Sequence, residues 1–184
     1  MINMKQYIFG YGSIINKDSV NKTTIEKERI IKTITGYRRE WNINIKSHFQ
    51  TALGIVKNKD STCNGVLVEV DDITAVDKRE IGYTREKVDE NIWIYVPELT
   101  GSATKEYPIM QSYIDVILEG CFKISKEFAK EFIDTTGGWN EHIIYDREDP
   151  KYPRAQKELK YKLEIDNLLS NHPKTKDFFK KKFI

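Results

Sequence analysis

The chain has 184 residues, 39 % of them apolar and 32 % charged, with a formal net charge of +2. That length fits one domain over 1–184, carrying a C-terminal helical extension from about residue 155, and the composition excludes a disordered chain. No apolar run approaches the ~20 residues that cross a bilayer, and a near-neutral charge argues against a nucleic-acid-binding face. The opening Met1-Ile2-Asn3-Met4-Lys5 lacks the apolar stretch of a leader peptide. Cys63 and Cys121 are too few for a disulfide framework and have no Cys-x-x-Cys spacing, which points to reduced thiols and a cytoplasmic setting.

In chain order, residues 5–10 form a first strand that ends in the turn Gly10-Tyr11-Gly12-Ser13-Ile14. Glycines there permit positive φ or a close backbone approach, and successive amides in such a turn can converge on a carboxylate or oxyanion. Taken alone, the pattern suits a plain tight turn equally well. Asn16 to Lys22 holds at most one helical turn. Glu28 to Ile45 is strand-like, with Gly36 a bulge site and Trp41, Ile43 and Ile45 alternating with Asn42, Asn44 and Lys46 as a half-buried face. Thr51 to Val56 is a further strand, Lys57 to Ser61 a polar turn, and Val66 to Val70 the clearest strand by β-branched content.

Asp71 or Asp72 caps a helix that carries Ile73, Val76 and Glu80 and stops near Gly82. Lys87 to Val96 returns as one strand. The apolar recurrence Ile109-Met110, Tyr113-Ile114, Ile117-Leu118, Cys121 predicts a helix ending near Gly120, and Ser125 starts another through Phe128, Phe132 and Ile133. Thr136-Gly137-Gly138-Trp139 breaks the period. A last helix is predicted from about Ala155 to Leu169, with Leu159, Leu163, Leu168 and Leu169 as its apolar members. Lys174, Lys176, Lys180, Lys181 and Lys182, interrupted by Phe178, Phe179, Phe183 and Ile184, read as a solvated helix end or a tail docking its phenylalanines. Strands first and helices later make an α+β fold: a small mixed, mostly antiparallel β-barrel with flanking helices.

Glu80 is the candidate general acid/base. Desolvation at the helix end beside Ile81 and Gly82 would raise its pKa, while Lys78, Arg79 and Arg85 would lower it by pairing. His48, His142 and His172 are scattered, so no metal site is expected, and Gly10-Tyr11-Gly12 is too short for a dinucleotide fingerprint. Cys121 lies on an apolar helical stripe and reads as a buried structural thiol. Cofactor-free acid–base chemistry remains. Tyr11 and Tyr113 suit either a hydrogen bond to a bound carboxylate or a place in the core, and Tyr83 suits the core.

Several of these segments, in this order, resemble the gamma-glutamylcyclotransferase superfamily. Tyr11-Gly12-Ser13-Ile14 is similar to its Tyr-Gly-Ser loop, and Gly36-Tyr37-Arg38-Arg39-Glu40-Trp41 to its Gly-x-x-Arg strand. Asn64-Gly65-Val66-Leu67-Val68-Glu69-Val70 resembles a further family strand. Val76 to Tyr83 resembles the helix end carrying the family's catalytic glutamate, and Ser112-Tyr113 a later Ser-x-Tyr element. The match spans roughly residues 7 to 122. The resemblance implies a cofactor-independent conversion of a small γ-glutamyl compound to 5-oxoproline and a released amine. It implies Glu80 as catalytic acid/base and Gly10, Tyr11, Gly12, Ser13, Ile14 and Tyr113 as substrate-binding. Ile14-Ile15-Asn16 departs from the tryptophan that follows the loop in the glutathione-specific, ChaC-like branch. Glutathione, γ-glutamyl amino acids and γ-glutamyl amines therefore all stand as substrates. The alternative is a non-catalytic metabolite-binding or protein-interaction module on the same fold.

Overall fold

The computed structural model describes residues 5–180; Lys181, Lys182, Phe183 and Ile184 of the basic run, and Met1 to Met4, lie outside the described residues. The strand elements are β1 (Tyr7–Gly10), β2 (Glu26–Ile45), β3 (Gln50–Val70), β4 (Tyr83–Asp89), β5 (Ile92–Pro97), β6 (Ile109–Met110), β7 (Thr136–Gly137) and β8 (Ile143–Ile144). The helices are α1 (Lys17–Asn21), α2 (Ile73–Arg79), α3 (Gln111–Ile124), α4 (Lys126–Asp134), α5 (Lys162–Asn171) and α6 (Lys176–Phe179). A single 3₁₀ turn, Ser13–Ile15, follows β1.

One sheet runs in the order β4-β5-β1-β3-β2-β7, and β6 pairs with β8 separately. Its pairings are antiparallel except β1 with β5 and β2 with β7. The α+β class and the mixed, mostly antiparallel pairing agree with the sequence. Closure into a barrel does not occur: the sheet is open, with β4 at one end and β7 at the other. β7 is too short to extend that edge around the core, and α4 leads directly into it.

The polar stretch at Lys57 to Ser61 is a bulge inside one long strand. Thr35 pairs with Thr62 and Tyr37 with Lys57, so residues 58–61 stand out opposite Gly36. Gly36 has φ +84°, the left-handed conformation that favours glycine. The single strand expected from Lys87 to Val96 is the hairpin β4–β5, turned at Glu90 and Asn91. The last helix starts later than its apolar pattern suggests. Glu119 accepts the backbone amides of Lys160 and Tyr161 (3.2 and 3.0 Å) and holds the preceding chain out of helix. Leu163 consequently faces solvent, while Ile165 and Leu169 are buried.

Ile8 and Phe9 at the centre of the sheet, Trp41 and Leu53 beside them, and the inward residues of α3 and α4 form one continuous core. Nearly the whole of α3 is buried. Gly120 in α3 lets the backbone of Asn16 pass close by: a Cβ there would lie 2.7 Å from Asn16 N. That approach seats the end of the glycine turn on α3. Phe179 of α6 is buried and Phe178 packs against the core, so the tail docks its phenylalanines as one of the two readings had it. Among the described residues, no helix is long and apolar enough to cross a membrane.

Candidate functional site

β1 carries apolar residues to the middle of the sheet and stops at Gly10, where the chain turns off the sheet end into Ser13–Ile15. Neither Gly10 nor Gly12 takes positive φ, contrary to one of the two expected uses of these glycines; Gly36, Gly82 and Gly138 are the glycines that do. Gly10 is required by close approach, because a Cβ would lie 2.7 Å from Cβ of Ile14. At Gly12 a Cβ would sit 3.5 Å from the Tyr113 hydroxyl, so that phenol lies directly against the turn.

The turn is fastened from below by Arg39 of β2, a fully buried side chain. Its Nη1 donates to the backbone oxygens of Tyr11 (3.0 Å) and Asn64 (2.8 Å), and its Nη2 to Asn64 Oδ1 (2.9 Å) and Phe132 O (3.0 Å). Thr135 and Thr136 hydroxyls take the remaining donors, and the guanidinium lies 3.7 Å from the Phe132 ring centroid. These hydrogen-bond partners are neutral, so burial lowers the Arg39 pKa, and the charges of more distant groups such as Glu131 oppose it without cancelling it.

Asp72, one of the two expected caps, starts α2 by accepting the amides of Thr74 and Ala75. Immediately after that short helix, Glu80 occupies the C-terminal cap, and Gly82 at φ +88° turns the chain into β4. The Glu80 side chain is 17 % exposed, and Arg79 Nε lies 3.0 Å from its Oε1. That N–H is poorly aligned for a hydrogen bond, so the contact is chiefly one of charge. The other Arg79 nitrogens donate to Ser19 O (2.9 Å), Ser13 Oγ (2.9 Å), Ser19 Oγ (3.1 Å) and Thr23 Oγ1 (3.3 Å). One side chain therefore joins the carboxylate to the glycine turn.

Burial raises the Glu80 pKa above the ordinary carboxylate range, and the charges of Arg79 and Arg154 oppose it without cancelling it. Of the three neighbours expected to pair with Glu80, Arg85 instead pairs with Asp77 (3.2 Å), and Lys78 is exposed. Ile81 does not supply the apolar setting, being 70 % exposed. Phe9, Leu53 and the tyrosines supply it.

A narrow inner chamber of about 30 Å³ is lined by Phe9, the whole run Gly10 to Ile14, Leu53, Glu80, Tyr83, Tyr95 and Tyr113. The seven residues singled out in the sequence thus share one cavity. Tyr11 donates to Tyr95 O (2.6 Å) and Tyr83 to Leu53 O (2.5 Å). Burial, and then the nearby charge of Glu80 among other groups, holds the phenols of Tyr11, Tyr83 and Tyr113 well above their ordinary pKa, so they stay protonated donors. Tyr83 is partly buried and packs against the core, as the sequence had it, and it also lines this cavity.

Beyond Glu80 the cavity widens into an outer chamber of about 190 Å³ that shares Ser13, Glu80, Tyr83 and Tyr113 with the inner one. Its far wall is residues 152–154, from a segment that crosses α3. That strap is fixed by Asp146, whose carboxylate accepts from Ser112 N (2.8 Å), Ser112 Oγ (2.6 Å) and Lys151 N (2.7 Å). Tyr152 then stacks on Tyr113, centroids 4.3 Å apart. The sequence named Arg79 only as a neighbour that would pair with Glu80, which it does, and Arg39 only within the segment resembling a Gly-x-x-Arg strand; it assigned no role to Gln50, Tyr152 or Arg154. Arg39 left a further signal, since it sits in phase with Trp41 on the buried face of β2.

No family model matches the sequence, and no curated protein is significantly similar to it. The backbone is similar to solved structures. YkqA from Bacillus subtilis aligns with a TM-score of 0.51 at 16 % identity, over 73 % of this chain. The chain spans only 56 % of YkqA. A gamma-glutamyl cyclotransferase aligns at 0.55 and 10 % identity, over 79 % of this chain and 97 % of its own. The uncharacterized protein loc79017 from Homo sapiens aligns at 0.53 and 12 % identity, over 79 % and 96 %. At these identities the likeness is one of fold: the chain has a gamma-glutamyl cyclotransferase-like fold.

Proposed function

We propose that this protein is a cyclotransferase-type enzyme that converts a small γ-glutamyl compound to 5-oxoproline and the released amine. The observation that carries the reading is a desolvated carboxyl, Glu80, sharing a narrow chamber with the backbone turn Gly10 to Ile14. The likeness in fold to a protein described as a gamma-glutamyl cyclotransferase supports it.

The substrate's α-ammonium gives a proton to Glu80, and the freed amine attacks the γ-carbonyl carbon of the same residue. A new C–N bond closes the five-membered lactam. The old amide C–N bond breaks as the protonated Glu80 returns its proton to the leaving nitrogen, and the second proton of the attacking nitrogen passes through the same carboxylate to the released amine, leaving a neutral lactam and an ammonium. One group thus acts as base and then as acid, which a raised carboxyl pKa suits. The nucleophile is tethered, so a folded γ-glutamyl arm brings an effective molarity that reaches ~10⁵ M in well-oriented systems. The Tyr11 and Tyr83 hydroxyls donate to Tyr95 O and Leu53 O, so the amides of Gly10 to Ile14 and the Tyr113 hydroxyl are the donors for the substrate carboxylate and the developing oxyanion. Two buried, unpaired thiols accord with a cytoplasmic setting.

The test is 5-oxoproline release from glutathione, γ-glutamyl amino acids and γ-glutamyl amines by wild type and Glu80→Gln. Release by wild type and its loss in a folded Glu80→Gln variant is the expected result. Equal release by both sinks the role of Glu80. Binding without any release by wild type means a metabolite-binding module instead.

A further inference from the structure

The inner chamber is too narrow for more than the part of the substrate that closes the ring. In the reaction proposed above, the leaving nitrogen must stand at Glu80 to collect its proton. Whatever that nitrogen carries extends past Glu80 into the outer chamber. The lining of that chamber is therefore the part of the protein that reads the leaving group.

Its charge is one-sided. Glu80 is the acidic residue in the lining, against Lys78, Arg79 and Arg154. Arg79 is committed to Glu80, Ser13, Ser19 and Thr23. The Arg154 guanidinium makes no ion pair or hydrogen bond among the described residues; its backbone oxygen alone is engaged, by Lys22 Nζ at 3.2 Å. It is half-buried rather than waving in solvent, because the strap holding it is tied to Ser112 by Asp146 and stacked on Tyr113 through Tyr152. It lies near enough to Glu80 for its charge to act on that carboxyl. Opposite, Gln50 is 4 % exposed, and its buried Oε1 has no hydrogen-bond partner. A buried acceptor without a donor costs about 1–3 kcal/mol, and this one borders a chamber where an N–H of a ligand would satisfy it.

We propose that Arg154 is a specificity-determining residue: it pairs with a carboxylate on the leaving half, while Gln50 accepts an N–H from the same half. The outer chamber then selects an amino acid or short peptide as leaving group over a simple amine. The assignment rests on the cyclotransferase reading for the placement of the ligand, but not on turnover for its test.

The probes are γ-glutamylalanine, its C-terminal amide, and γ-glutamylpropylamine. Binding is measured by calorimetry on Glu80→Gln, with Arg154 intact, as Arg154→Gln and as Arg154→Lys. With Arg154 intact, the free acid binds about tenfold or more tighter than the amide or the propylamine, the scale of one charge-assisted hydrogen bond at a part-exposed site. In Arg154→Gln the acid-to-amide ratio falls towards one, and Arg154→Lys keeps part of it, a graded response that loosening of the strap does not give. A ratio near one with Arg154 intact, a ratio indifferent to Arg154→Gln, or no binding of any probe overturns the assignment. 5-Oxoproline release from the same probes by wild type is scored separately. If no probe is turned over while the binding ratio behaves as described, the cyclotransferase reading falls and the Arg154 assignment stands.

Discussion

Arg39→Met removes a guanidinium that has no exposed surface and donates at 2.8–3.0 Å to two threonine hydroxyls, Asn64 Oδ1 and the backbone oxygens of Tyr11, Asn64 and Phe132. Methionine fills much of the same volume and offers no donor. Tyr11 O, Asn64 O and Asn64 Oδ1 lose their strong donors, while Phe132 O keeps that of Thr136 Oγ1; at about 1–3 kcal/mol for each buried acceptor so stranded, the three together cost on the order of 3–9 kcal/mol. Part of this returns, because the charge itself was expensive to bury. The net loss should fall near 3–5 kcal/mol, roughly the range seen when a buried charged network loses one member. A domain with a total stability of about 5–15 kcal/mol then still folds, but with little margin. Arg39→Lys keeps the charge and offers three donors where arginine has five, so it should lose about half as much.

The assay is urea unfolding followed by tryptophan fluorescence, which buried Trp41 makes sensitive to the core. With a slope of about 2 kcal/mol/M, Arg39→Met should lower the midpoint by about 1.5–2.5 M, with Arg39→Lys between it and wild type. A midpoint for Arg39→Met within about 0.5 M of wild type would refute the reasoning, showing that the cost of burying the cation cancels what its hydrogen bonds contribute. Because one of those bonds holds Tyr11 O, folded Arg39→Lys should also weaken binding at the glycine turn.

For Glu80 the sign follows from a folded-state pKa above the unfolded value of about 4.3. Folding favours the protonated form, so the stability contributed by Glu80 is present at acid pH and is lost as pH rises through the folded pKa. Glu80→Gln should therefore melt higher than wild type at neutral pH, with the gap closing towards pH 4, while 5-oxoproline release falls by about 10²–10⁴-fold; a gap that does not change with pH contradicts the desolvated carboxyl. The acid limb of wild-type turnover should likewise lie above the ordinary glutamate range. Gly10→Ala forces a methyl into Ile14 and should cost about 1–3 kcal/mol in thermal melts, and an unchanged melting point would mean the turn has room to shift. Cys63 and Cys121 are buried, and burial pushes the Cys121 thiol up to about 12, so a thiol reagent at pH 8 should react only at the rate of unfolding. Rapid labelling of the native protein would show that one of these thiols reaches solvent.

What was legible in the sequence and what was not divide along a physical line. Gly10, Gly12, Ser13 and Glu80 could be read because a turn and a helix end leave local signatures: an apolar strand stopping at glycine, an Asp72 cap, a Gly82 stop. The long β2–β3 pair was half legible. Gly36 marked the bulge, but the residues bulging opposite it, 58–61, looked like a turn because they are polar and exposed for lack of a partner. Barrel closure was beyond reach, since whether β4 meets β7 depends on edge geometry that no alternation pattern encodes. The strap was illegible for a different reason. Asp146, Tyr152 and Arg154 sit in a loop, and their place is set by α3 residues more than thirty positions away in sequence.

The pieces of the candidate site come from four separate regions of the chain: the turn after β1, the C-terminal cap of α2, the first turn of α3, and the strap. Apolar packing alone would let such pieces slide, because dispersion contacts have no direction. Each joint here is instead a buried or half-buried polar side chain with several partners. Arg39 holds the turn to β3 and α4, Arg79 holds the turn to Glu80, and Asp146 holds the strap to α3. Directional bonds of this kind fix distance and angle together, and a partly satisfied buried network costs more than none. A displacement at one joint therefore strands polar groups rather than trading one contact for another. This accounts for a chamber whose walls are remote in sequence yet narrow in space. It also accounts for the contrast between Arg79 and Arg154: four of the arginines that face the turn and strap, Arg29, Arg39, Arg79 and Arg147, are spent on the protein's own groups, whereas the Arg154 guanidinium has no such partner among the described residues and borders the outer chamber.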